Sequence, residues 1–332
     1  MREIVFIRKN KEKWQRYEKI LFSNAYLAPD DLTGIYIDLT DDLAYANTYY
    51  PSSKTTAFLN ELAGSAHRKI YKTKKASGNA IKRFYLYDFP LMFYKYRKFL
   101  YLSFFVFLVF AVIGAFSAAS DADYVRLIMG DNYVDKTLQY INDNDPMAVY
   151  KQANEIDMFL GITINNIKVA LFTFMFGAFL GIGTFVMLMR NAIMLGAFQY
   201  FFYEHGLLWQ SARTIWIHGT IEISVIIVAG AAGFVMASGI LYPGTFTRTQ
   251  AFIRKSRDGL KVMLSTLPFF IVAGFFEGFV TRHTEMPDFL AILIILTSLS
   301  LIIYYYLWLP KIRHHEYISQ DEIKTLSKKY ND

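Results

Sequence analysis

Three stretches of this chain settle its class before any motif is considered. Residues 99–117 and 289–309 contain no charged side chain, and 215–240 carry a single carboxylate, Glu222. Each is about as long as the ~20 residues a helix needs to cross a hydrocarbon layer ~30 Å thick. Inside such a layer only the chain itself can satisfy backbone N–H and C=O groups, so a spanning segment is a helix or part of a closed barrel. Unbroken apolar runs of this length, without two-residue alternation, specify helices. The expected fold class is therefore all-α: a polytopic transmembrane helical bundle of about six spans, with an N-terminal cytoplasmic helical domain.

Total composition would not reveal this. Hydrophobic residues make up 54% of the 332, close to the share in soluble domains; their segregation carries the information. The net charge of +7 would raise nucleic acid as a partner of a soluble protein. Here the cations flank apolar spans, where the positive-inside rule accounts for them, and no nucleic-acid-binding motif is present. The chain has no cysteine, which removes disulfides, thiolate metal sites and cysteine nucleophiles from consideration.

Residues 1–97 read as a cytoplasmic helical head: Phe6, Trp14, Tyr17, Ile20 and Leu21 recur at helical spacing among Arg8, Lys9, Lys11 and Arg16, and Asp30 and Asp31 suit a helix N-terminus. Its last part, with Phe84, Phe89, Phe93, Lys82, Arg83, Lys95 and Arg97, suits an amphipathic helix on the inner membrane surface, bent at Pro90. The bundle is expected over 98–310, with spans at about 99–117, 167–189, 192–207, 215–240, 262–281 and 289–309, and a basic cytoplasmic tail over 311–332. The segment 119–160 is rich in Asp and Glu, whereas the chain before the first span is basic. That asymmetry puts both termini in the cytoplasm and 119–160 outside, with the first span expected to act as an uncleaved signal-anchor. Residues 192–207 are short and polar enough to be either a full span or a re-entrant hairpin. The charge rule favours a span, because the loop after 240, with Arg248, Arg254, Lys255, Arg257 and Lys261, belongs inside. The same loop has the character of an inner-surface helix or of a coupling helix.

Polar side chains inside spans are costly and mark function by default. With this topology His218, Glu222, Glu277, Glu204, Asn165 and Asn166 fall at one level, in the outer leaflet. His218 and Glu222 are four residues apart and share a helix face. An imidazole and two carboxylates can hold a divalent metal, relay a proton, or lock helices together as a polar network. The order His-x-x-x-Glu is not the zinc-protease template. No phosphate-binding glycine loop or Gly-x-Ser-x-Gly elbow occurs, so no ATPase or serine hydrolase is expected. Gly177, Gly181, Gly219, Gly230, Gly233 and Gly278 are candidates for close helix packing.

The segments Ile217-His218-Gly219-Thr220-Ile221-Glu222 and Ala229-Gly230-Ala231-Ala232-Gly233, preceded by Asn165-Asn166 and followed by Glu277-Gly278-Phe279, resemble the stage II sporulation protein M family. Arg2-Glu3, Trp14, Asp38-Leu39, Tyr50-Pro51 and His67 resemble its longer, non-sporulation branch, so the resemblance covers nearly the whole chain. Ile217 stands where that family usually has proline, and Ala192 where it has glycine. The resemblance implies a multi-pass protein of the bacterial inner membrane and a scaffold or regulator of a cell-envelope complex, working with peptidoglycan-degrading partners. The expected partners are the lipid bilayer, other envelope or membrane proteins and a second copy of the chain, with no nucleic acid. No catalytic residue is assigned. A permease-like subunit and an intramembrane metalloenzyme stay open as alternatives, a divalent metal being the one cofactor the residues suggest.

Overall fold

The computed structural model describes residues 2–22, 29–71, 78–148, 154–283 and 285–319, and the chain divides into two compact units, Met1–Asn79 and Ala80–Asp332. In the first unit, α1 (Glu3–Phe22), α2 (Pro29–Tyr49) and α3 (Lys54–Tyr71) bury Phe6, Trp14 and Leu21 against Leu39, Ala46, Leu59, Leu62 and Ala66. Within each helix these positions lie three, four, seven or eight residues apart, so each helix turns one stripe inward. Each fully buried leucine contributes roughly 1.5–3 kcal/mol. Polar groups set the register. The Trp14 indole donates to Asp42 at 2.7 Å, Lys13 meets the same carboxylate oxygen at 2.6 Å, and the Tyr17 hydroxyl donates to Asp38 at 2.5 Å. Burial and that last bond push the Tyr17 phenol up to about 12. Pro51 ends α2, and Ser53 starts α3 by accepting from the backbone N–H groups of Thr55 and Thr56 at 3.1 and 3.2 Å. The side chains of Asp30 and Asp31 lie outside the described residues.

The second unit begins earlier than the sequence suggested. After α4 (Gly78–Arg83) and a π-helical turn (Phe84–Asp88) comes α5 (Phe89–Tyr94), whose Phe89 and Phe93 are fully buried. Their four-residue spacing puts both rings on one face. Phe89 stacks on Tyr305, with ring centroids 5.6 Å apart, and both phenylalanines meet Tyr306 edge-on at 5.9 Å. The boundary at Asn79 rather than residue 97 follows from this aromatic packing. Pro90 directly follows the π turn inside one continuous helical run, and the Leu86 carbonyl that its missing N–H cannot reach accepts from Arg313 at 2.9 Å.

Among the described residues, six helices are long and apolar enough to cross a membrane: Arg97–Ser120, Glu155–Ala178, Ile182–Glu204, Leu208–Leu241, Arg248–Val280 and Asp288–Ser319. Their α-helical cores are α6 (Arg97–Ser120), α9 (Glu155–Met175), α10 (Ile182–Glu204), α11 (Leu208–Leu241), α12 (Arg248–Phe275) and α13 (Asp288–Ile303). Between α6 and α9 lie the short α7 (Ala122–Met129) and α8 (Asp131–Asn142). The described parts of the chain are helical, as the fold class requires. The tail from Lys311 continues the last helix to Ser319, beyond which it lies outside the described residues.

Spans two and three depart from expectation. The reversal sits at Phe179–Gly181, where Leu180 and Gly181 take positive φ of 55° and 82°, and not near Arg190. Span two therefore runs Glu155–Ala178 instead of 167–189. Residues 192–207 are largely the second half of a continuous helix from Ile182 to Glu204, not a separate short span or hairpin. Apolar sequence runs on both sides of the turn without a charge to mark it, while Arg190 lies within a helix. The basic run after 240 is likewise no separate coupling helix. A capping box of Thr247 and Gln250 starts α12 at Arg248, and the cations form its first turns.

The centre of the bundle is α11, 78% of whose most apolar stretch is buried, against 22–44% for the other spans. Small residues allow this. A Cβ on Gly177 would overlap the backbone of Gly233, and one on Gly230 would come within 2.6 Å of Leu188. Thr184 donates to the Thr173 carbonyl and Ser103 to the Ile227 carbonyl, both at 2.6 Å. The α6–α10 pair uses Gly114 against Ile193 and Gly196 against Ala111 in the same way.

Candidate functional site

His218 and Glu222 stand one helical turn apart on α11, as their spacing demands. Glu277 reaches them from the end of α12, where the helix widens into a π turn, Phe276–Val280. Such widened turns recur at functional sites. The turn carries Glu277 inward and brings Thr281 beneath His218. The His218 Nδ1 and Thr281 Oγ1 lie 3.0 Å apart, and the His218 Nε2 faces Glu277 Oε1 at 3.8 Å. One ligating atom from each of His218, Glu222 and Glu277 lies within 4.8 Å of the others. His218 is only 4% exposed. Asn166, also buried, lies beside Glu222.

A cleft of about 350 Å³ opens onto this group, lined by His218, Gly219 and Glu222 on one side and by Asn191, Met194 and Tyr133 on the other. Its roof is the α7–α8 turn. There Asp121 caps α7 through the Asp123 N–H at 3.0 Å, and Gly130 reverses the chain at φ 84°. Arg126 clamps the pair together through Asp135 at 2.7 Å and Asp131 at 3.3 Å. The Tyr133 phenol is pushed up to about 12, mainly by burial, with the charge of Glu277 acting in the same direction. The described part of the acidic segment between the first two spans, α7 and α8, is thus folded over the polar centre.

The remaining candidates scatter. Glu204 and its neighbour His205 are exposed at the end of α10, where the His205 ring meets the Phe201 carbonyl at 2.7 Å and the Phe201 ring at 4.6 Å between centroids. Asn165 is exposed on α9 while Asn166 turns inward. Asn166 joins the site from the middle of its span, because α9 begins at Glu155 and not at residue 167. Of the glycines, Gly177, Gly230 and Gly233 hold helices together, Gly278 abuts the Glu155 carbonyl with a 3.0 Å Cβ approach, and Gly181 makes the turn. Gly219 makes no close approach and lines the cleft. Thr281 and Tyr133 were not foreseen. Thr281 lies four residues after Glu277 and could have been found by helical spacing, whereas nothing local marks Tyr133.

Fold and site together define a polytopic helical membrane protein built round one buried helix that carries a histidine–glutamate centre. Residues 103–282, more than half of the chain and all of that centre, match the family model of stage II sporulation protein M. The chain belongs to that family. Residues 4–72 match a separate domain of unknown function. No curated protein and no solved structure matches the chain.

Proposed function

We propose that this protein is a scaffold or regulatory component of a cell-envelope complex in the plasma membrane. Its termini lie in the cytoplasm and the α7–α8 roof outside, where it meets a peptidoglycan-degrading partner. Charge supports the orientation: Lys95, Arg97, Lys98, Arg248, Arg254, Lys255 and Arg257 cluster at the helix ends opposite the acidic roof. The observation that carries the reading is the closure of the bundle below the site. The cleft ends at Ile226, and one turn further along α11 Gly230 and Gly233 are packed against Leu188 and Thr184. A conduit would need this packing to part, whereas a scaffold needs it to hold.

A permease-like subunit is the second reading, favoured by the cleft itself, which brings a ligand-sized space to His218 and Glu222. Photo-crosslinking residues at Asp131 and Asn142, both exposed on α8, separate the two. The scaffold reading expects adducts with an envelope protein that carries a peptidoglycan-degrading domain, and none from Thr245 in the loop before α12. Solute flux through liposomes holding the purified chain, with no such adduct, would replace it with the permease reading.

A further inference from the structure

We infer that His218, Glu222 and Glu277 bind a divalent first-row transition metal, with Asn166 and Thr281 orienting the ligands and the cleft leaving one coordination position open. The inference concerns the buried centre alone and stands whether or not the chain is a scaffold.

Spacing is the first argument. At 3.8 Å, the His218 Nε2 and Glu277 Oε1 are too far apart for a hydrogen bond. Ligands held ~2.0–2.2 Å from a common ion are themselves ~3.3–4.2 Å apart, from tetrahedral neighbours to opposed positions. The observed separation lies in that range. The full set, within 4.8 Å, needs its widest pair to close by up to about 1.2–1.5 Å to reach the ~3.3–3.6 Å separations of a four-coordinate site. The arrangement is that of ligands around a shared centre, not of a hydrogen-bonded pair.

Charge is the second. Glu222 and Glu277 are close enough to repel one another, and among the described residues no lysine or arginine is paired with either. Two carboxylates and one divalent ion are neutral together, which removes most of the cost of burying charge.

Orientation is the third. Thr281 engages the His218 Nδ1, which turns the Nε2 toward the two carboxylates. Asn166, buried beside Glu222, is placed to orient its carboxylate. Metal sites orient imidazole and carboxylate ligands in the same way, and removing such a partner typically costs ~10–100-fold in affinity. Three protein ligands with a fourth position toward a cleft make an open site. One imidazole with two carboxylates suits zinc or manganese better than a soft-metal site would.

The test uses full-length protein in detergent, stripped of metal and titrated with Zn²⁺, Mn²⁺ or Co²⁺. Metal content is read by mass spectrometry, and coordination by the visible spectrum of the cobalt form. The expected result is one ion per chain, with His218→Ala, Glu222→Gln and Glu277→Gln each weakening binding at least tenfold. Thr281→Val should weaken it less, and Glu204→Gln, remote from the site, should bind as wild type. Size-exclusion profiles identify any variant that fails to fold, and the Thr281→Val and Glu204→Gln pair keeps the comparison decisive in that case. A folded wild type that binds no ion at micromolar metal, or ions retained equally by all variants, would overturn the inference and leave a proton-sharing polar lock. Neither outcome touches the crosslinking on which the scaffold reading depends.

Discussion

At the scale of single residues, the least conspicuous member of the site is the most informative. Thr281 lies at the end of the π turn, and its hydroxyl is 3.0 Å from the His218 Nδ1. Removing it takes away one buried hydrogen bond, a loss of about 0.5–1.5 kcal/mol. Thr281→Val should therefore lower the unfolding free energy by that amount in a denaturant titration, while Thr281→Ser stays near wild type. Equal stability of the two variants would show that the ring finds another partner. His218 and Glu222 could be read from their four-residue spacing and Glu277 from its depth. Glu204 and Asn165 could not be sorted from the residues that face inward, because depth says how far along a span a side chain lies and not which way it faces. Tyr133 was hidden for a different reason: it comes from a helix outside the spans, and only the fold lays that helix over the centre.

Elements were legible where charge bounds them and obscure where it does not. The spans starting near Arg97 and Asp288 have polar neighbours and were placed closely. The boundary between spans two and three has none, and the backbone decides it: Gly181 at φ 82° closes a turn that an L side chain resists. Small residues then divide by what stands opposite them. Gly177 faces the backbone of Gly233, whereas a Cβ on Gly219 would meet nothing nearer than 3.6 Å. Gly177→Ala should accordingly destabilise the bundle by roughly 1–3 kcal/mol through overpacking, and Gly219→Ala should be nearly neutral in stability. Thermal unfolding in detergent checks both, and equal effects would mean that the helices are not packed on these faces. The same logic explains Gly114 and Gly196, which bring α6 and α10 into backbone contact.

For the whole molecule, the proposed topology is open to direct measurement because the natural chain has no cysteine. Asp143→Cys and Glu204→Cys should react with a membrane-impermeant maleimide from outside the cell. Phe179→Cys and Thr245→Cys should react only after permeabilisation. A reactive Phe179→Cys in intact cells would break the six-span arrangement and put the reversal between spans two and three on the outer side. Sequence by itself determined the class, the helical spans, the basic and acidic sides and the His218–Glu222 pair, because each follows from hydropathy, charge or spacing along one helix. Only the tertiary structure decided where spans two and three part, which unit residues 80–97 join, and that Glu277, Asn166, Thr281 and Tyr133 converge on that pair. Those outcomes depend on backbone conformation at a glycine and on side-chain packing between segments far apart in the chain, and neither is written in any local pattern.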